Sequence, residues 1–191
     1  GSEMCIRDRD NSCNLWFIQA AQTLQPTVFY DYIQAFGFTQ PTGIDLPSET
    51  RWTSVYNAQQ MAEVDTNLYT AAFGQNEAIT PMQMATAIAA IANGGYLVTP
   101  YIVDSITDDA GNIISQTDTS VRRQVISEEV SQEILSMMEN NVEPNGTLSI
   151  RHSCKNAYVA GYRIGGKSGT AERTDRHLRG DGDYYKAMSF A

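Results

Sequence analysis

Two short groups of residues in this sequence carry the side chains that acid–base chemistry and anion binding require. The first group places a hydroxyl and an amide two positions apart, at Ser12 and Asn14. The second group follows two glycines and reads Lys167-Ser168-Gly169-Thr170. A lysine ammonium supplies a positive charge, hydroxyls supply directed hydrogen bonds, and glycine lets a ligand approach the backbone closely. The second group therefore predicts a stretch of backbone that holds an anion.

Each group also has an ordinary structural explanation. Serine and asparagine often cap helices, and the apolar residues 15–21 that follow the first group are typical of a buried helix. A Lys-Ser-Gly sequence is more often a turn with a solvated lysine than a ligand site. Neither group decides between structure and chemistry by itself, so the segments between them must be considered.

Composition excludes several classes of function. The chain has 191 residues, of which 42% are hydrophobic and 18% charged, as expected for a globular domain. The net charge of -9 argues against nucleic acid or an anionic membrane surface as the main partner. The spacing of the three cysteines (Cys5, Cys13 and Cys154) matches no disulfide or zinc pattern. The chain has two histidines, too few for a metal site with several histidine ligands. We therefore expect neither a metal nor a cofactor.

Local signals predict alternating helices and short strands. Residues 1–9 show no periodicity and resemble a cloning or read-through tail, which leaves residues 10–191 as the folded segment. No apolar run approaches the roughly 20 residues of a membrane helix. We expect helices over residues 15–24, 26–36, 81–92 and 128–141, and loops over 38–49 and 142–156. Residues 96–107 are expected to be extended with an interruption at Pro100, and further strands are expected over 113–116, over 162–172 and from about 184. Residues 50–79 show no clear pattern, and the side chains of Trp16, Phe17, Met82 and Met84 are expected in the core.

The two groups, together with the segments between them, resemble the penicillin-binding transpeptidase family. The resemblance covers roughly residues 10–191, and Lys167 follows Asn14 by 153 positions. That interval suits the monofunctional class B branch better than the compact serine β-lactamases. The segments that carry the resemblance are residues 32–38, 43–47, 72–75, 79–85, 89–95 and 161–170.

This resemblance implies both a fold and an activity. The implied fold is α/β (α+β), of the β-lactamase/transpeptidase-like type, with an antiparallel sheet packed with helices and incomplete in this chain. The implied activity is that of a peptidoglycan D,D-transpeptidase, a serine acyltransferase that acts on stem peptides ending in D-Ala-D-Ala and is inactivated by β-lactams. A membrane anchor, a place at the extracytoplasmic face of the bacterial membrane and a cell-wall synthesis complex as partner follow from the same resemblance.

The resemblance also implies roles for individual residues. Ser12 would pass a proton toward the leaving amine, and Asn14 would hold the substrate amide and help to orient the catalytic lysine. Lys167 would bias the proton network and attract the terminal carboxylate of the substrate. The substrate-binding residues would be Ser168 and Thr170, whose hydroxyls bond that carboxylate, and Gly169, which lets the peptide backbone lie against the strand. The Thr170 backbone N–H would be one donor of the oxyanion hole.

The sequence departs from the family pattern at the nucleophile. The family requires a Ser-x-x-Lys motif, but the residues three positions before the three lysines are His152, Ile164 and Asp183. We therefore expect this chain to be the C-terminal part of a transpeptidase domain, inactive by itself, with its acylating serine in a segment N-terminal to Ser12.

Two other classes of function remain open at this point. The chain could belong to a β-lactam-sensing receptor or a catalytically silent penicillin-binding module, and a β-lactamase is a third possibility that the long interval between the motifs disfavours. The sequence upstream of this chain discriminates between the enzyme and the sensor. A Ser-x-x-Lys motif behind a single membrane helix favours the enzyme, whereas a multi-helix membrane segment with a protease-like domain favours the sensor.

Overall fold

The structure, a computed structural model, describes residues 12–50, 53–75, 77–143, 154–172 and 186–190. Its helices are α1 (Asn14–Gln22), α2 (Pro26–Ala35), α3 (Ala58–Glu63), α4 (Asp65–Ala72), α5 (Pro81–Ala92) and α6 (Glu128–Asn140), with one 3-10 turn (Lys155–Ala157). Its strands are β1 (Tyr96–Val98), β2 (Ser105–Thr107), β3 (Ile113–Gln116), β4 (Val121–Gln124), β5 (Ser168–Glu172) and β6 (Lys186–Phe190). This mixture of helices with antiparallel strands confirms the expected α/β class.

The described strands form three antiparallel pairs: β1 with β4, β2 with β3, and β5 with β6. The β5–β6 pair runs in unbroken register from Ser168 opposite Phe190 to Glu172 opposite Lys186. Because directly opposed residues of an antiparallel pair point to the same face, this register fixes which β6 side chains stand beside each β5 hydroxyl.

The chain folds into two compact units. The first unit comprises the described residues within 1–29, 56–77 and 133–191. Within it α1 packs on α4, and the Gln22 amide Nε2 donates to the Tyr69 hydroxyl at 2.8 Å. Its most deeply buried side chains include Ala21, Met61, Leu68, Ala71, Val142 and Cys154. The helix α1 thus buries Ala21 in this unit, and it begins at Asn14, the second residue of the first chemical group.

The second unit comprises residues 30–55 and 78–132. Its centre is α5, which packs on β1 and begins with a capping box in which Thr80 accepts from the Gln83 N–H. The buried Gln83 amide also donates to the carbonyls of Phe38 at 3.2 Å and Gln40 at 2.8 Å. Gln83 therefore satisfies backbone carbonyls of the loop that follows α2.

Most of the locally signalled elements are confirmed. The helix after Pro26 ends at Ala35 before Gly37, which has a positive φ of 88°. The helix after Thr80 and the hairpin turned at residues 108–112 lie where their signals place them. The Ser127 hydroxyl accepts from the Val130 N–H at 3.3 Å, as expected for the start of α6.

Other expectations about secondary structure and burial are wrong. Helices α3 and α4 occupy the segment that shows no clear pattern, and only residues 168–172 of the expected strand over 162–172 are extended in a ladder. Met82 and Met84 are 36% and 40% exposed rather than in the core, because α5 buries Gln83, Thr86, Ala87 and Ala90 instead. Trp16 and Phe17 are half-buried.

Two kinds of feature are absent from the part of the chain that the structure describes. No helix there has the length and apolar character needed to cross a membrane. No three histidine, cysteine, aspartate or glutamate side chains there are grouped so that they could hold a metal ion. The expected tail over residues 1–9 lies outside the described residues.

Candidate functional site

All six residues singled out in the sequence line one pocket. The pocket has a volume of about 450 Å³ and lies within the first unit. The fold thus brings Ser12 and Asn14 next to the group that begins at Lys167, 153 positions after Asn14. Its lining residues are Ser12, Asn14, Phe17, Ala72, Phe73, Lys167, Ser168, Gly169 and Thr170.

The two groups are joined by a direct contact. The Lys167 ammonium donates to the Ser12 hydroxyl oxygen and also to the Ser168 carbonyl, the latter at 2.8 Å. Because the Ser12 oxygen accepts from lysine, its own O–H is directed elsewhere and can donate to a ligand in the pocket. A charged donor on a hydroxyl also favours release of the hydroxyl proton.

Ser12 and Asn14 do not act as helix caps, which corrects the structural expectation for this pair. Helix α1 begins at Asn14 with Cys13 at the capping position, and no side chain supplies a capping hydrogen bond. Ser12 has a φ of 57°, in the left-handed region that residues with a side chain rarely adopt. Such strain is concentrated at binding and catalytic sites, and here it accompanies a serine that faces the pocket.

Strand β5 presents two hydroxyls on one side. Ser168 and Thr170 are two positions apart, so their side chains share a face of the strand. Gly169 between them faces the opposite way, where an added Cβ would lie 2.5 Å from the Ser189 Oγ on β6. A side chain at position 169 would therefore force the Ser189 hydroxyl to rotate, so glycine leaves room on this face of the β5–β6 pair in addition to any close approach by a ligand.

The backbone just before Lys167 is held by the C-terminal end of α6. The Gly166 N–H donates to the Met138 carbonyl at 3.0 Å, and the buried Asn141 amide donates to the Gly166 carbonyl at 3.3 Å. An added Cβ at Gly165 would approach the Met138 Cβ to 3.1 Å. These contacts explain why residues 162–167 leave the ladder, and they fix the position from which the Lys167 side chain reaches Ser12.

Three lining residues were not predicted as site residues. Phe17 lies three positions after Asn14 on α1, so helical spacing places both side chains on one face. That spacing could have indicated Phe17 from the sequence. Ala72 and Phe73 lie where α4 ends, and only the packing of α4 against α1 brings them to the pocket.

The charge of the pocket suits an anion. Lys167 is the only charged residue among the nine that line it, and the other polar groups are hydroxyls, an amide and backbone. None of the other described lining residues is charged, so the Lys167 ammonium makes the pocket attractive to an anionic ligand.

A carboxyl outside this lining is protonated more readily than usual. Burial raises the pKa of Glu77 to about 7, and its Oε1 atom is buried with no hydrogen-bond partner among the described residues. Below its ordinary pKa of 4.5 the group is protonated in both the folded and unfolded chain. Between 4.5 and about 7 only the unfolded chain ionises, so Glu77 lowers stability progressively as the pH rises, and the full penalty is present above pH 7.

We therefore predict that Glu77→Gln stabilises the chain in a pH-dependent way. The gain in unfolding free energy should be near zero at pH 4 and about 2 kcal/mol at pH 8, after allowance for solvent screening of a partly buried group. Urea unfolding at several pH values measures it, with Glu133→Gln on the exposed face of α6 as the matched control. A gain that is the same at both pH values would contradict the prediction.

A larger pocket lies in the second unit, and the carboxylate that lines it is used for hydrogen bonds within the fold. It has a volume of about 770 Å³, and its acidic lining residue is Glu49. The Glu49 carboxylate accepts from the Thr42 N–H and hydroxyl, both at 2.7 Å, and from the Gly43 N–H at 2.9 Å. Burial acts to raise the pKa of Glu49, but these hydrogen bonds outweigh burial and hold it below its usual value. The carboxylate is therefore committed to the turn over residues 42–43.

Comparisons with known proteins point to a single family. Residues 10–191 match the penicillin binding protein transpeptidase domain. The chain is 38% identical over 167 residues to stage V sporulation protein D of Bacillus subtilis (strain 168), covering 85% of this chain and 24% of that protein. It is 31% identical over 176 residues to the peptidoglycan D,D-transpeptidase FtsI homolog of Mesostigma viride, covering 85% of this chain and 28% of that protein.

A solved structure has the same fold. The apo form of penicillin binding protein 3 from Mycobacterium tuberculosis matches with a TM-score of 0.78 and 25% identity, over 93% of this chain and 39% of that one. The same protein has also been solved in complex with aztreonam, with the same similarity. The present chain spans about a quarter of the length of the two curated relatives described above.

Proposed function

Because the chain belongs to the penicillin-binding protein transpeptidase family, we propose that it supplies the substrate-holding part of a serine-type peptidoglycan D,D-transpeptidase. The observation that carries this proposal is the contact of Lys167 with Ser12 beside the two hydroxyls of β5. That arrangement combines a cation, a proton-transferring hydroxyl and two further donors in a pocket whose described lining residues include no carboxylate. Residues 10–191 are the proposed domain segment, with residues 1–9 outside it.

The proposed ligand is a peptide ending in D-Ala-D-Ala or a β-lactam that mimics it. Its terminal carboxylate would accept hydrogen bonds from the Ser168 and Thr170 hydroxyls and be attracted by the Lys167 ammonium. Support for a β-lactam ligand comes from the structural relative solved with aztreonam. Support for peptidoglycan as the substrate comes from the relative named as a peptidoglycan D,D-transpeptidase.

The proposed proton route runs through Ser12. When an acyl-enzyme forms, the amine that leaves must gain a proton, and the Ser12 O–H is the pocket group free to donate one. Lys167 can restore that proton because its ammonium already donates to the Ser12 oxygen. Asn14, at the start of α1, is placed to hold the substrate amide from the same wall of the pocket.

The proposed nucleophile is a serine outside this sequence, since no lysine here follows a serine by three positions. In a D,D-transpeptidase that serine attacks the carbonyl of the penultimate D-alanine, the terminal D-alanine leaves, and an acceptor amine then takes the acyl group. The Thr170 backbone N–H is the proposed oxyanion donor contributed by this chain. We place the longer protein at the extracytoplasmic face of the membrane, in a cell-wall synthesis complex.

Labelling with a fluorescent penicillin tests the proposal. We predict that the 191-residue chain forms no covalent adduct, because it lacks the Ser-x-x-Lys motif. The chain extended by its native upstream sequence, called the extended protein below, should be labelled at one serine of that motif. Gel fluorescence and mass spectrometry of the labelled peptide measure this. An adduct on any serine of the 191-residue chain, or none on the extended protein, would overturn it.

A further inference from the structure

Met188 is exposed to solvent and contacts Thr170, a residue that lines the pocket. It stands on β6 directly opposite Thr170, and its side chain is 74% exposed. The Thr170 hydroxyl donates to the Met188 sulfur at 3.5 Å. The sulfur is therefore open to reagents in solution while it accepts a hydrogen bond from one of the two hydroxyls of β5.

We propose that Met188 is an oxidation site that controls whether the Thr170 hydroxyl can bind a carboxylate. The oxidant is a peroxide. The sulfur lone pair attacks one peroxide oxygen, the S–O bond forms as the O–O bond breaks, and a proton moves to the departing hydroxide to give water. The sulfur loses two electrons, the peroxide gains them, and the product is methionine sulfoxide.

Oxidation makes the side chain at position 188 a stronger hydrogen-bond acceptor for the Thr170 hydroxyl. A thioether sulfur is a weak acceptor, so the hydroxyl of the unoxidised protein can turn from Met188 to a carboxylate at little cost. A sulfoxide is polar and places an oxygen acceptor on the same sulfur. The Thr170 hydroxyl then remains bonded to residue 188, and the carboxylate loses one of its two hydroxyl donors.

The surroundings of Met188 also favour its selective oxidation. Reactivity toward peroxide rises with exposure, and Met188 is the most exposed methionine in the described ranges. Met61 is 1% exposed, and Met82 and Met84 on α5 are 36% and 40% exposed. Mild peroxide should therefore modify Met188 before the other described methionines.

The experiment has a step without ligand and a step with ligand. The 191-residue chain is treated with a limiting amount of hydrogen peroxide, and peptide mass spectrometry follows the added oxygen at each methionine. NMR then measures the exchange rate of the Thr170 hydroxyl proton and the Thr170 amide shift. We expect oxidation at Met188 first, with slower hydroxyl exchange and a shifted amide in the oxidised chain.

The step with ligand rests on the proposed function and uses N-acetyl-D-Ala-D-Ala as the probe. Oxidation should weaken its binding about tenfold, the effect of one lost hydrogen bond to a charged group. Met188→Leu should bind the probe with an affinity that peroxide does not change, whereas Met84→Leu should lose affinity on oxidation as the unmodified chain does. Met84 does not line the pocket, so this variant is the matched control.

The outcomes separate the inference from the proposed function. If the unoxidised chain does not bind the probe, the proposed ligand is wrong, and the step without ligand still decides the role of Met188. If Met188 is oxidised no faster than Met84, or if Thr170 hydroxyl exchange and amide shift do not change on oxidation, the inference is overturned. Equal affinity before and after oxidation of Met188 overturns it as well.

Discussion

Replacing Lys167 with methionine is expected to slow acylation of the extended protein by a fluorescent penicillin about 100- to 1000-fold, a loss of the size seen when one preorganised hydrogen-bond donor of an active site is removed. Methionine keeps much of the aliphatic stem of lysine but has no charge and no N–H donors. The substitution removes the donor to the Ser12 oxygen and the only charged group among the described residues that line the pocket. The variant should therefore lose both the return of a proton to Ser12 and the electrostatic attraction for the ligand carboxylate.

The matched control is Lys155→Met, since Lys155 is exposed on the 3-10 turn and does not line the pocket. It should acylate at nearly the unmodified rate. Stopped-flow fluorescence gives the second-order rate constant for each variant, and thermal unfolding shows whether the fold is kept. A folded Lys167→Met variant with a normal rate constant would contradict the proposed role of Lys167.

A double-mutant cycle tests whether Lys167 acts through Ser12. If the lysine works mainly by holding the Ser12 proton in place, Ser12→Ala should remove most of the benefit of Lys167. The double variant should then be little slower than the slower single variant, because residues that act as a unit are not additive. Independent action would instead multiply the two losses. Rate constants for the four proteins decide between these results.

The sequence predicted those parts of the fold that depend on neighbouring residues. The start of α5 follows from Thr80 and Pro81, and the start of α6 follows from Ser127, because a cap or a helix-starting proline acts within one turn. The capping box between Asn57 and Gln60 is likewise a local signal for a helix start, and helix α3 begins directly after Asn57. That helix could have been predicted from the Asn57-x-x-Gln60 spacing.

Burial was harder to predict because it depends on residues that are distant in sequence. Helix α5 is apolar on most sides, so its sequence does not identify the face that packs inward. The inward face includes Gln83, whose amide is satisfied by carbonyls 43 and 45 positions earlier, at Gln40 and Phe38. Only the folded chain supplies those acceptors, and a polar residue on the buried face is therefore not visible in the local pattern.

The sequence indicated candidate residues for the site but not their geometry. Residue types and order indicated Ser12, Asn14 and the 167–170 group, and the structure brings all of them to one pocket. The contact between Lys167 and Ser12 could not be read from the sequence, because it depends on how the C-terminal end of α6 fixes Gly166. The hydrogen bond from Thr170 to Met188 likewise depends on the register of β5 with β6.

The largest effect on stability is expected at Gly95, where alanine should lower the free energy of unfolding by about 4 kcal/mol. Gly95 has a φ of 94°, which costs a residue with a side chain about 1–2 kcal/mol. An added Cβ would also lie 1.9 Å from the Ile126 carbonyl oxygen, and overpacking of this kind costs about 1–3 kcal/mol. The two backbones cannot separate freely, because the Val125 N–H donates to the Gly95 carbonyl at 2.7 Å.

Gly111→Ala separates these two causes, because Gly111 has a similar φ of 85° but no atom within 4 Å of an added Cβ. It should lose only the conformational part, about 1–2 kcal/mol. Urea unfolding followed by circular dichroism gives both values, and their difference measures the collision with Ile126. If the two variants lose the same free energy, the close approach of Gly95 to Ile126 does not constrain the fold, and positive φ alone explains why glycine occupies position 95.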